Sequence, residues 1–411
     1  MRPMLLAAAT SLIALSAACG ANGEPSSAAP QQAGAPVETR PANAPDQQPA
    51  FVNQTRAPGV TTARALAHTV VASGLVQPWG LAMLPDGRWL VTELGGNLRI
   101  VTADGQVGQP IAGLPAVDAR GQGGLLDVAV GPTFAQDRMI YWSYAERRDG
   151  GNATSVARGA LSADGTRVDA VRVIFRAGPA YDGDKHFGSS LAFDPAGHLF
   201  ITLGDRSDAP MRPQAQQLDS HMGKIIRINA DGSVPADNPF VSLEGALPEI
   251  WSVGHRNAQG VAIQPGTGAA WTVEHGTRGG DEVNLVQGGR NYGWPEVTYG
   301  IEYRGVPIEG SVTAREGTEQ PVYYWDPSIA PGGQIFYDGA MFPEWQGNLL
   351  VAALRDKHIA RLVIENGRVV GEERLLTDLG ERVRDIAIAA DGAVWVITDE
   401  DNGKLVRLAA Q

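Results

Sequence analysis

A strand–turn–strand unit recurs six times along this chain of 411 residues, and it restricts the fold more than any other feature. The clearest copies are Leu81-Ala-Met-Leu-Pro-Asp-Gly-Arg-Trp-Leu-Val-Thr92 and Leu191-Ala-Phe-Asp-Pro-Ala-Gly-His-Leu-Phe-Ile-Thr202. Two more run Val261–Thr272 and Ile386–Ile397, and two looser ones join Asp127–Pro132 to Met139–Ser143 and Gln334–Gly339 to Gly347–Ala352. Each alternates apolar residues, turns on Pro, Asp or Gly, and resumes with β-branched or aromatic residues, the pattern of a hairpin. A single unit cannot bury its apolar faces alone. Copies spaced by roughly 45 to 75 residues therefore stack into a ring of blades. A sandwich or a simple barrel does not predict self-similarity at that period. The expectation is an all-β, six-bladed β-propeller with four-stranded antiparallel blades, in which a strand around Ala65–Ala72 completes the blade built by the C-terminal residues.

Ahead of the repeats, Arg2 precedes an apolar run from Met4 to Ala18, and the only cysteine, Cys19, follows directly. At about fifteen residues the run is shorter than the roughly twenty that span a bilayer, so it reads as the apolar region of a secretion signal. A cysteine at that position is expected to carry a lipid, although Ser16 stands where such sites usually have Leu. Residues 19–60 are rich in Ala, Pro, Gln, Gly and Ser and are expected to be a flexible tether, because they offer little apolar surface to offset ordering entropy. The organisation expected is a signal peptide at 1–18, the tether at 19–60 and the propeller at 61–411. The location expected is periplasmic or envelope, with membrane attachment only through the lipid. A formal charge of -12 argues against a nucleic-acid partner, which would require a basic face, and none is expected.

A propeller does not define a function, so the loops entering each inner strand must. Four segments concentrate polar groups there. Asp184-Lys-His-Phe-Gly188 places His186 at a channel mouth, where a neutral imidazole is a natural base for a sugar hydroxyl. Gly254-His-Arg-Asn-Ala-Gln-Gly260 supplies Arg256, able to grip a carboxylate, and Asn257, able to read a carbonyl. Glu274–Asn284 joins glycines to acidic residues, the hard oxygen set that calcium prefers. The last segment is cationic: Arg355, then Arg382 and Arg384, two apart and so on one face of a strand. Together these describe an anionic, polycarboxylate ligand, a calcium ion and a base.

Gly121-Gln-Gly-Gly-Leu-Leu126, the His186 segment, Gly254–Gly260, Gly289-Arg-Asn-Tyr-Gly-Trp-Pro295 and Arg382-Val-Arg-Asp385 stand in the order found in the pyrroloquinoline-quinone (PQQ)-dependent soluble sugar dehydrogenases. Over roughly residues 70–408 the chain resembles their broad-specificity aldose members, within the glucose/sorbosone dehydrogenase family. The resemblance implies oxidation of an aldose at its anomeric carbon to a lactone, with PQQ and calcium as cofactors and an external electron acceptor that the sequence does not identify. It makes His186 the base, and Arg256, Asn257, Gln259, Arg355, Arg382 and Arg384 the PQQ-binding set, with Arg384 also a catalytic stabiliser of developing negative charge. It places Gln122 and Arg206 at the substrate, the carbonyls of Gly276 and Thr277 on the catalytic calcium, and Glu282 and Tyr292 at a second, structural calcium. Three departures bear on sugar preference: Arg355 and Lys185 replace the Lys and Asp of the glucose enzymes, and Thr277 replaces a proline. Two other functions compatible with a propeller are a calcium-dependent lactonase, which needs no Arg382/Arg384 clamp, and a non-catalytic envelope binding platform.

Overall fold

The computed structural model describes residues 34–411; the apolar run before Cys19, and Cys19 itself, lie outside the described residues. Six antiparallel sheets follow one another around the chain. The first is Pro78–Met83, Trp89–Glu93 and Asn97–Val101, and the second is Leu125–Val130, Met139–Arg148, Gly151–Leu161 and Val168–Arg176. The third contains Leu191–Phe193, His198–Thr202, Lys224–Asn229 and Ile250–Val253; the fourth contains Ala258–Ile263, Ala270–Glu274, Asp281–Val286 and Tyr323–Trp325. The fifth is Pro331–Phe336, Leu349–Ala353, His358–Glu365 and Arg368–Leu375. The sixth joins Val383–Ile388, Val394–Thr398 and Gly403–Ala410 to Leu66–Leu75, the early strand expected to complete it. The protein is a six-bladed β-propeller. Among the described residues no helix is long and apolar enough to cross a membrane.

Each strand buries side chains on both faces because successive blades stack like plates. Every seam has its own apolar cluster, and the set runs full circle. Leu90, Ile100 and Trp142 join the first two blades, and Trp89, Trp395 and Leu405 join the sixth to the first. At that closing seam the rings of Trp89 and Trp395 lie 5.0 Å apart. The ring thus ends without an exposed sheet edge between its first and last blades, the arrangement that protects a β-structure from pairing with other chains.

Around the channel, side chains at the start of the inner strands tie neighbouring blades together at three of the seams. Asp127 accepts the backbone N–H of Leu191 (2.7 Å), Ser190 accepts that of Val261 (3.1 Å), and Asp385 accepts that of Leu81 (2.7 Å).

Two expectations need correction. The first blade has three strands, not four. The chain after Val101 makes only isolated bridges, Val101 to Val107 and Ala112 to Arg167. Pro110 and Pro115 interrupt this stretch and cannot donate to a ladder. Gly113 adopts φ +98°, and a Cβ there would lie 2.5 Å from the carbonyl oxygen of Val168. The second correction concerns residues 34–60, which are not a free tether but pack on the fourth and fifth blades. Gln54 and Ala57 are fully buried, and Val60 donates to the carbonyl of Glu372 (3.0 Å). Hydrogen bonds and ion pairs supply the hold that apolar surface does not.

Candidate active site

The loops that enter the inner strands converge on two adjoining cavities that share Gln122 and His275. The outer one, of about 510 Å³, is lined by His186, Arg256, Arg355, Gly276 and Thr277 among others. The inner one, of about 270 Å³, is lined by Trp79, Gln259, Arg382, Arg384 and Asp399 among others. Segments separated by more than two hundred residues in the sequence thus meet at one end of the channel.

His186 enters from the loop before Leu191–Phe193 in a strained left-handed conformation, φ 51°. Such backbone is held in place only by its surroundings. Gln122 accepts the His186 backbone N–H (2.8 Å), and Gly204 leaves the space that the His186 carbonyl needs, since a Cβ there would lie 2.2 Å from it. The ring is buried, and its Nδ1 meets Oδ1 of Asp205 at 2.7 Å. The other oxygen of Asp205 accepts the indole N–H of Trp294 (2.8 Å). Burial, then the charge of Arg256, holds the His186 pKa below the ordinary histidine value, against the pull of Asp205. Burial alone would raise the pKa of Asp205, but the His186 contact and nearby cations outweigh it, so the carboxylate stays ionised. The outcome is a neutral imidazole whose Nδ1 is committed to a carboxylate, which leaves Nε2 as the nitrogen able to act in the cavity.

The arginines are arranged for an anion. Among the described residues Arg256, Arg355 and Arg384 have no carboxylate within ion-pair distance, whereas Arg382 is paired with Asp399 (2.8 Å). Arg256 donates to the carbonyls of His275 and Gly276 and lies over the Trp294 ring. Arg355 makes one long bond, 3.3 Å, to the Ser328 carbonyl. Arg384 lies 3.9 Å over Trp79, donates to Gln259 (2.9 Å) and has a buried Nε with no partner. Burial lowers its pKa to about 10, so it remains charged at neutral pH. The side-chain oxygen of Asn257 accepts from Gly188 and Gln259 (3.2 Å each), fixing that edge of the inner cavity.

Arg206 does not present its guanidinium to the cavity as expected of a substrate contact. It donates to the carbonyls of Lys185, Asn152 and Gly183 and to the Asn152 side chain, and lies 4.0 Å over Phe187. Its role is to anchor the loop that carries His186. Gln122, by contrast, does line both cavities.

For the metal positions, Gly276 and Thr277 line the outer cavity, and the Thr277 hydroxyl is buried without a partner. Glu282 and Tyr292 line a separate narrow cavity with Glu274. Burial, then the charge of Glu274, pushes the Glu282 pKa well up. The Tyr292 hydroxyl donates to the Leu285 carbonyl (2.6 Å) and accepts from Gln287 (2.9 Å), so a metal there would have to use its backbone oxygen. Among the described residues no three His, Cys, Asp or Glu side chains converge as a metal cluster.

Asp205, Trp79, Trp294 and His275 were not singled out from the sequence. Asp205 lies 19 residues from His186 across a hairpin, and nothing local marks it. The only available signal was its place beside Arg206 in the loop following the next strand.

Residues 75–407 match the family described as Glucose / Sorbosone dehydrogenase. Aldose sugar dehydrogenase YliI of Escherichia coli (strain K12) is 46% identical over 345 residues, which are 83% of this chain and 92% of that protein. The crystal structure of the soluble aldose sugar dehydrogenase from Escherichia coli in the apo-form superimposes with a TM-score of 0.81 at 44% identity, covering 84% of this chain and all of that one. The PQQ-bound form of the aldose sugar dehydrogenase from Streptomyces coelicolor gives 0.69 at 27% identity, covering 85% and 100%. With the family match spanning most of the chain and relatives this similar along nearly their whole length, the protein belongs to the glucose/sorbosone dehydrogenase family.

Proposed function

We propose that the protein oxidises aldose sugars at the anomeric carbon to the lactone, with PQQ and calcium as cofactors and an external acceptor for the electrons. One observation carries this reading: among the described residues three arginines without carboxylate partners line two adjoining cavities, and a carboxylate-oriented histidine lines one of them. The residues present fit such cofactors. Arg256, Asn257, Gln259, Arg355, Arg382 and Arg384 would hold a planar polycarboxylate, and the unpartnered Arg384 Nε is a donor awaiting an acceptor. The carbonyls of Gly276 and Thr277 would hold calcium. When bound, PQQ supplies a two-electron acceptor for hydride and calcium a Lewis acid.

The chain's own residues do the rest. His186 Nε2 takes the proton of the anomeric hydroxyl, a step that general-base catalysis speeds by about a hundredfold or more. Asp205 fixes the tautomer and stabilises the imidazolium that forms, and Trp294 fixes Asp205. Arg384, desolvated over Trp79, offers charge where negative charge develops. The relatives named aldose sugar dehydrogenase support the substrate class, and the PQQ-bound neighbour supports the cofactor.

The test is to mix purified protein with PQQ and calcium and follow aldose-dependent reduction of an artificial dye. No dye reduction with any aldose sinks the reading. His186→Ala is expected to retain PQQ binding while turnover falls at least about a hundredfold. Export and the lipid on Cys19 are a separate proposal, resting on the N-terminal sequence alone; mass spectrometry of the native N-terminus decides it, and an unmodified Cys19 would end the tether.

A further inference from the structure

The family match begins at residue 75, yet residues 34–60 are built into this structure as a strap across the fourth and fifth blades. Its far end is stitched by backbone: Gly34 donates to Gly59 (3.0 Å), Gly59 to Ala35 (3.1 Å) and Tyr324 to Gln54 (2.8 Å). Its middle is held by charge. Arg40 pairs with Asp356, the residue after the cavity-lining Arg355, and Glu38 pairs with Arg374 at 2.7 Å. Hydrogen bonds from Arg40 and Arg374 hold the Glu38 carboxyl at about 2, against the upward push of its burial.

Between these anchors Asn43 reaches the outer cavity and forms part of its wall. Its backbone N–H and its side-chain amide both donate to Oδ1 of Asp326 (2.9 Å each), and the next N–H, of Ala44, donates to the other oxygen (2.9 Å). The amide oxygen of Asn43 then accepts from Nε of Arg278 at 3.0 Å. Arg278 is exposed at the rim of the same cavity, beside Tyr303. No carboxylate among the described residues pairs with Arg278, so Asn43 is the side chain that fixes where it stands.

We propose that the strap is a selectivity element in which Asn43 is the positioning residue for Arg278. Together they narrow the cavity that His186 also lines, and so favour single-ring aldoses over sugars enlarged by a second ring. The proposal rests on the sugar reading above. It adds a contact from outside the residues that define the family.

The test uses the full chain with PQQ and calcium, and glucose and its disaccharide maltose as substrates. Asn43→Ala keeps both backbone bonds to Asp326, so the strap stays docked and the melting temperature holds. In this variant the KM for glucose is expected to rise about threefold to tenfold with kcat within about twofold, the size of effect that losing one ordinary hydrogen bond has. The kcat/KM ratio of maltose to glucose should rise at least fivefold. Arg278→Met should do the same, and the double variant should be no worse than Arg278→Met alone, since the two residues act as one unit. An unchanged ratio and KM in Asn43→Ala overturns the proposal. If the parent oxidises neither sugar, the functional reading falls, and calorimetric binding of the two sugars to parent and Asn43→Ala decides the strap. A shift in their affinity ratio upholds it, while an unchanged ratio, or binding of neither, ends it.

Discussion

At the scale of single residues, the chemistry rests on a histidine that is kept neutral yet oriented. Burial and Arg256 push protons off His186, while Asp205 draws one onto Nδ1. The working form therefore persists at neutral pH, and the acid-side fall in activity should come below the ordinary histidine range. Asp205→Asn replaces the acceptor of Nδ1–H with an amide of nearly the same shape and removes the counter-charge for imidazolium. Turnover is expected to drop by at least about a hundredfold with little change in PQQ affinity. The acid limb of kcat/KM should move to lower pH, because the group that raises the His186 pKa is gone. A variant with the parent's turnover and the parent's acid limb would show that Asp205 does not act through His186. His186 itself was legible in the sequence as a loop histidine before an inner strand. Its partner was not, because the two meet only when the third blade folds.

At the scale of elements, strands were the most legible part and their surroundings the least. The copies Leu81–Thr92 and Leu191–Thr202 fall on paired strands of the first and third blades, since period-two alternation with a Pro/Asp/Gly turn encodes a hairpin locally. The missing fourth strand of the first blade was hidden, as its absence follows from Pro110, Pro115 and the close approach of Gly113 to the second blade. The docking of the strap is hidden in the sequence for another reason. Low apolar content predicts a failure to collapse alone, but residues 34–60 need not collapse alone. They dock on a finished surface, where Gln54 satisfies its amide against Pro321, Ala50 and Tyr299. Arg206 is the same lesson in reverse: a cation in an active-site loop that the fold uses to hold the loop.

At the scale of the whole molecule, ring closure concentrates buried acids around the channel. Asp127 and Asp385 each accept two backbone N–H groups, including one from the neighbouring blade. Burial raises both, to about 6 and about 8, and for Asp385 the nearby Asp127 adds to it. An acid whose folded pKa lies above its unfolded one contributes stability that is complete below about pH 4 and is lost as pH rises through the folded value. The melting temperature is therefore expected to fall by several degrees between pH 5 and 9, and Asp385→Asn should flatten that slope whatever it does to stability at pH 5. The buried His358, lowered by burial to about 4, acts the other way: it costs stability as pH drops from about 6.5 toward 4. A parent protein with equal melting temperatures at pH 5 and 9, or a variant with an unaltered slope, would exclude Asp385 as the source.

What the sequence determined by itself was the number of blades, the closing partner of the last one, and which loops carry the polar residues. All of these follow from local periodicity and from the repeat of one unit. Which loop residues face the cavity, which hold the loops, and which segment outside the repeats completes the mouth was decided by the tertiary structure. The residues concerned, Asp205 with His186, Arg206 with Asn152, and Asn43 with Arg278, are separated by 19, 54 and 235 positions. A contact of that kind has no local pattern to announce it; it exists only after a blade has folded, or blades have stacked, and brought the loops together.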